Sequence, residues 1–96
     1  MKFPKPSRIK DRALLDERIR GSCVVCGKSP CDPEHIGTKG AGNDDVAENC
    51  WSLCRLCHVE KGTVGLTTFV QRHHAAKFWL KAHGWTFDEF MQKWVR

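Results

Sequence analysis

Two Cys-x-x-Cys pairs, Cys23-Val-Val-Cys26 and Cys54-Arg-Leu-Cys57, stand 27 residues apart in a chain of 96. Zinc takes four soft ligands at tetrahedral corners, and a two-residue spacer lets one tight turn offer two thiolates to a single ion. The pairs therefore predict a four-thiolate structural zinc site, closed to substrate, whose binding energy is folding energy. The plain alternatives are a redox Cys-x-x-Cys and ordinary buried thiols. Cys31 and Cys50 belong to no pair and read as packing thiols. Between the pairs lie Glu34-His35-Ile36 and Glu48-Asn49-Cys50-Trp51, and His58 follows the last thiolate directly. A histidine is largely neutral near pH 7, so His35 suits a general base. Glu34 and His58 suit a hard or borderline divalent ion. Asn49 can hydrogen-bond across the intervening loop and hold it. Each of these, taken singly, also reads as a solvated or turn residue.

The rest of the chain has to position them. Its length allows one domain with a small core, for which a metal staple is expected. No apolar run is long enough to span a membrane, and the basic start Met1-Lys2-Phe3-Pro4-Lys5-Pro6 lacks the apolar stretch of a secretory signal. Cytoplasmic, reducing surroundings follow, where cysteines more often bind metals than pair. The net charge of +5 is unevenly spread. Residues 1–20 hold seven Lys/Arg against three Asp/Glu, residues 21–60 three against six, and residues 61–96 six against two. The basic ends suit phosphates and the acidic middle suits a divalent cation.

Pro4 and Pro6 make residues 1–7 an extended arm. Residues 9–20 are predicted helical, with Ile9 paired to Ala13 and Leu15 to Ile19, and Gly21 as the stop. A zinc knuckle, a Pro-rich turn over 29–33 and a short strand at His35-Ile36 follow. The run 37–45 reads as a loop, 50–53 as a second strand, and a helix is expected to open near Arg55 and end at Gly62. Capping-box patterns at Thr68–Gln71 and Thr86–Glu89 predict further helices. The last of these has Phe87, Phe90, Met91 and Trp94 on one face. His73, His74 and His83 receive no chemical role. The four tryptophans read as core.

The set Cys23, Cys26, Glu34-His35-Ile36, Asn49 and Leu53-Cys54-Arg55-Leu56-Cys57-His58-Val59-Glu60-Lys61 resembles the HNH endonucleases, most of all small phage members with a four-cysteine zinc. The resemblance covers about residues 22–62. It implies a small α+β fold: a zinc-stapled ββα-metal finger flanked by an N-terminal helix (the arm and helix of 1–20) and by C-terminal helices over 66–95. It implies that His35 is the base, that Asn49 supports the site, and that Glu34 and His58 hold Mg²⁺ or Mn²⁺ beside the structural Zn²⁺. The implied reaction is hydrolysis of a phosphodiester in duplex or branched DNA, by a phage- or prophage-encoded enzyme in the bacterial cytoplasm. One site cuts one strand, so double-strand or junction cleavage calls for a homodimer. Arg8, Lys10, Arg12, Lys39, Arg55 and Lys61 are the expected phosphate contacts. Glu34 departs from the Asp or His usual before the base, and Asp32 is a substitute ligand. Asp44 and Asp45 read as turn caps, with metal assistance as the alternative. The competing reading is a non-catalytic zinc module that binds nucleic acid or protein. A thiol–disulfide oxidoreductase is disfavoured, because the alternating strand–helix pattern expected around its motif is missing.

Overall fold

The computed structural model describes residues 9–37 and 44–96. The calls on the 1–7 arm, Arg8 and Lys39 lie outside them. Among the described residues the chain runs α1 (Arg12–Arg20), β1 (Cys31–His35), a 3₁₀ turn (Ala47–Asn49), β2 (Cys50–Cys54), α2 (Arg55–Val64), α3 (Leu66–Arg72), α4 (His74–Ala82), β3 (Thr86–Asp88) and β4 (Lys93–Val95). This is an α+β arrangement of four α-helices and two antiparallel two-stranded sheets. No helix among the described residues is long and apolar enough to cross a membrane.

β2 organises the interior. All five of its residues are buried, and Trp51 and Leu53 have no exposed surface. Trp51 packs its ring against Phe69 of α3 at 6.2 Å and Trp79 of α4 at 5.4 Å. β1 pairs with β2 from Cys31↔Cys54 to His35↔Cys50. The strand begins inside the expected Pro-rich turn and runs through Pro33. Proline is tolerated there because β1 pairs on one side only, so the missing N–H costs no ladder bond.

α1 starts at Arg12, with the Asp11 carboxylate accepting from the Leu14 N–H. Ile9 therefore lies outside the helix and is exposed, against the predicted Ile9–Ala13 pair. The helix is fixed by polar contacts. Arg18 Nε donates to the Cys50 carbonyl at 2.8 Å, and Ser52 Oγ donates to the Arg18 carbonyl at 2.6 Å. Gly21 permits this approach, since a Cβ there would meet Ser52 Oγ at 2.9 Å.

α2 opens at Arg55 as expected but runs through Gly62 to Val64. Gly65, at φ +85°, ends it and directly precedes α3. That backbone conformation favours glycine, whereas Gly62 simply sits in the helix at an exposed position. α3 accordingly begins at Leu66 rather than at the Thr68 capping pattern.

The predicted last helix is a hairpin. β3 and β4 pair Phe87 with Trp94, whose rings lie 5.6 Å apart. Asp88 Oδ1 accepts from the Met91 N–H within the turn, and Gln92 takes φ +56°. Phe90 is 97% exposed, so the four-residue apolar face does not form. Phe87 and Trp94 meet across a turn, which the same seven-residue interval also allows. The hairpin leans back on the start of β2: Trp85 Nε1 donates to the Glu48 carbonyl at 2.6 Å, and Arg96 lies 3.8 Å from the Glu48 carboxylate.

Candidate metal centre and histidine–carboxylate site

The knuckle at Cys23 closes on itself. The Gly27 N–H donates to the Cys23 carbonyl, the Cys23 N–H to that of Lys28, and the Val24 N–H to Ser52 of β2. These bonds hold the first pair beside Cys54, the last residue of β2, and Cys57, in the first turn of α2. The four Sγ atoms all lie within 4.8 Å of one another, with Cys26 and Cys54 at 3.6 Å. A tetrahedral ion with ligands at about 2.3 Å would set neighbouring sulfurs about 3.8 Å apart. All six cysteines are free thiols. The cluster thus has the donor set and spacing for a soft divalent ion.

Its electrostatics point the same way. Burial raises the Cys23 thiol, but backbone N–H groups of Cys54, Cys26 and Val25 outweigh it and bring the pKa to about 6. The Lys28 backbone lowers Cys26, yet desolvation and the neighbouring thiols leave it raised. Burial, then Cys54 and Cys23, push Cys57 well up. Without a cation, one thiolate makes the next unfavourable. At neutral pH a metal must therefore displace protons from Cys26 and Cys57, and below about pH 6 from Cys23 as well. Metal binding releases thiol protons, so affinity for zinc is expected to fall as pH falls. Competition with a chromophoric chelator across pH 6–8 measures this; a flat profile would rule the thiolate set out.

His35 ends β1 and faces the carboxylate of Asp45, with Nε2 to Oδ1 at 2.6 Å. Asp45 is 3% exposed, and its other oxygen accepts from the Asp11 N–H at 2.9 Å. An ionised carboxylate only accepts, so the ring proton sits on Nε2 and the lone pair on Nδ1. A carboxylate on one ring nitrogen orients the histidine and fixes its tautomer. The turn-cap reading of Asp45 missed this. A run of two aspartates in a Gly-rich loop carries no mark of which one turns inward.

Asn49 bridges the two described ends of that loop. Its Oδ1 accepts from the Gly37 N–H at 2.9 Å, its Nδ2 donates to the Asp44 carbonyl at 3.0 Å, and its own carbonyl accepts from Ile36. Cys31 and Cys50 are both buried.

Glu34 and His58 have separate partners. Alternate positions of a strand share a face, and Asp32 and Glu34 both turn towards α2. There His58 Nδ1 donates to Asp32 Oδ2 at 2.9 Å, while Lys61 lies 3.0 Å from Glu34 Oε2. Trp51 Nε1 donates to the other Glu34 oxygen at 2.7 Å. Among the described residues, two groups of three or more potential ligands come together: the four cysteines, and His35, Asp45 and Cys50. Glu34 and His58 belong to neither, and His35 points to Asp45 instead of joining them.

The Glu34–Lys61 pair is nearly dry, with side chains 9% and 11% exposed. Glu34→Ala would leave a buried ammonium and is expected to cost about 3 kcal/mol. The double variant Glu34→Gln/Lys61→Met, which keeps an acceptor for the Trp51 indole, should recover most of it in urea unfolding of the metal-loaded protein. No recovery would mean that Glu34 acts through something other than the pair.

Of the expected phosphate contacts, Lys10, Arg12 and Arg55 are exposed, Arg12 beside Asp16 and Arg55 beside Asp32. Lys61, also among the expected phosphate contacts, is turned inward to Glu34 and the His35 carbonyl. Lys77 and Lys81, one turn apart on α4, line a groove with Gln71 and His74 that the sequence reading did not single out. Comparisons with family models, curated proteins and solved structures found no match.

Proposed function

We propose that the chain is a metal-dependent DNA endonuclease of the HNH type, built on a ββα-metal finger stapled by zinc. The observation that carries this reading is the His35–Asp45 pair at the end of β1, which leaves Nδ1 of His35 as the lone-pair nitrogen. It stands on a hairpin whose second strand runs into a helix through two cysteines of the four-cysteine cluster. His35 Nδ1 takes the proton from a water molecule as that water attacks a backbone phosphorus, and Asp45 stabilises the imidazolium that forms. Asn49 keeps the loop, and with it Asp45, in place.

Glu34 and His58 are the residues proposed to hold Mg²⁺ or Mn²⁺, with Asp32 orienting His58 through Nδ1 so that Nε2 is the donor. When bound, such an ion supplies positive charge for the oxygens of the pentavalent phosphorus and the leaving 3′ oxygen. To hold the ion, Glu34 Oε2 would exchange Lys61 for it, since the other oxygen accepts from the Trp51 indole. The substrate is duplex or branched DNA, one strand per site, and paired cuts use two protomers. A reducing cytoplasm keeps the thiols available.

A second reading, a zinc module that binds without cutting, is favoured by one observation: the Glu34–Lys61 and Asp32–His58 pairs already satisfy the acidic groups. Incubating supercoiled plasmid and a four-way junction with the zinc-loaded protein in Mg²⁺ or Mn²⁺ separates the two. Nicks that need added Mg²⁺ or Mn²⁺ and are absent with the zinc-loaded protein alone support the nuclease. Binding without nicks on both substrates supports the module.

A further inference from the structure

We propose that His35, Asp45 and Cys50 form a second metal site, for a borderline transition ion such as Zn²⁺ or Co²⁺, and that its occupation silences His35 as a base. The second half rests on the proposed function; the site itself rests on geometry. A His35 ring nitrogen, an Asp45 oxygen and Cys50 Sγ lie within 4.8 Å of one another, and Nε2 is the nitrogen that faces Asp45. They come from the end of β1, the loop and the start of β2, positions fixed by the His35↔Cys50 register. One sulfur, one nitrogen and one oxygen suit zinc or cobalt and suit magnesium poorly. Three protein ligands leave a fourth position open.

Entry is from the His35 side, since His35 is partly exposed while Cys50 and Asp45 are buried. To admit the ion, the 2.6 Å contact between ring and carboxylate must open by about 0.7 Å, to the ligand separation of a tetrahedral centre. The second Asp45 oxygen stays on the Asp11 N–H and anchors the carboxylate.

The proton balance gives the consequence. The ion takes the Nε2 lone pair, so the ring proton moves to Nδ1. Cys50 releases its thiol proton to solvent, and Asp45 is already a carboxylate. Nδ1 then carries hydrogen and donates where it had accepted. Mg²⁺-dependent cleavage is thereby made sensitive to a second equivalent of zinc, while the first equivalent, on the four cysteines, is required for folding.

The test adds Co²⁺ to protein that already carries one zinc per chain. A second ion is expected to bind with thiolate-to-cobalt absorption. Cys50→Ser and Cys50→Ala should lose that event while keeping one zinc per chain and the wild-type circular dichroism, and Cys31→Ser should keep it. In plasmid nicking with Mg²⁺, zinc should inhibit the Cys50 variants about tenfold less strongly than wild type, or more weakly still. A wild-type protein that takes up no second ion, or Cys50 variants that bind it unchanged, would overturn the site. Equal zinc inhibition with and without Cys50 would overturn its control of His35. If no protein nicks DNA under any condition, the nuclease reading fails, and the cobalt titration still decides the site.

Discussion

Stripping zinc from the four-cysteine cluster under reducing conditions is expected to unfold the chain. The two pairs tie the knuckle before β1 to the joint between β2 and α2. Metal binding at such a site is worth on the order of 10 kcal/mol. A domain of this size has roughly 5–15 kcal/mol of total stability, so removal takes most or all of it. Helix packing adds little here: α1 has no buried residue, and α2 buries only Cys57. Near-ultraviolet circular dichroism should collapse, since Trp51 loses its packing against Phe69 and Trp79. Reductant must be kept, because Cys26 and Cys54 are 3.6 Å apart and would otherwise crosslink. Cys57→Ser should give the same loss. A zinc-free protein that keeps its tryptophan signal and its cooperative melting would show that the cluster is packing and nothing more.

His35→Ala is expected to lower plasmid nicking by about a thousandfold, within the range for a positioned general base. The ring is partly exposed, and its removal opens no large core cavity, so zinc content should hold, while the melting temperature should fall because buried Asp45 loses one of its partners. Asp45→Asn should fall between the two proteins, by roughly ten- to a hundredfold. An amide lacks the charge that stabilises the imidazolium, and its NH₂ competes for the position facing Nε2. Because the two residues act as a unit, the double variant should be little worse than His35→Ala alone. Undiminished nicking by His35→Ala would remove this histidine from the reaction.

Readability from sequence followed the range of the interactions. The cysteine spacing announced a four-thiol cluster, and the joint at Cys54 and Arg55 placed the strand and the helix correctly. Each Cys-x-x-Cys pair, and the joint, is set by residues within a few positions of one another. The hairpin over 86–95 was misread because an apolar interval of seven serves a helix face and a cross-strand pair equally, and only the Phe87–Trp94 contact decides between them. Glu34 reads as a ligand from its carboxylate and from the family resemblance. Its engagement with Lys61, 27 positions on, depends on which way β1 is pleated and how α2 lies over it. Asp45 was unreadable for a similar reason: its partner is ten positions back, across a loop whose ends Asn49 draws together.

The bond from Trp85 to the Glu48 carbonyl extends the reach of the C-terminal hairpin. Glu48 precedes Asn49 in the 3₁₀ turn, and Trp85 is buried in the same core as Trp51 and Leu80. Opening the turn that carries Asn49 therefore breaks this bond and takes the Glu48 acceptor from an indole held in the core. Breathing of this segment is coupled to disruption of the core as a whole, so its amides should exchange with solvent as slowly as those of β2 and not at the rate of a surface loop.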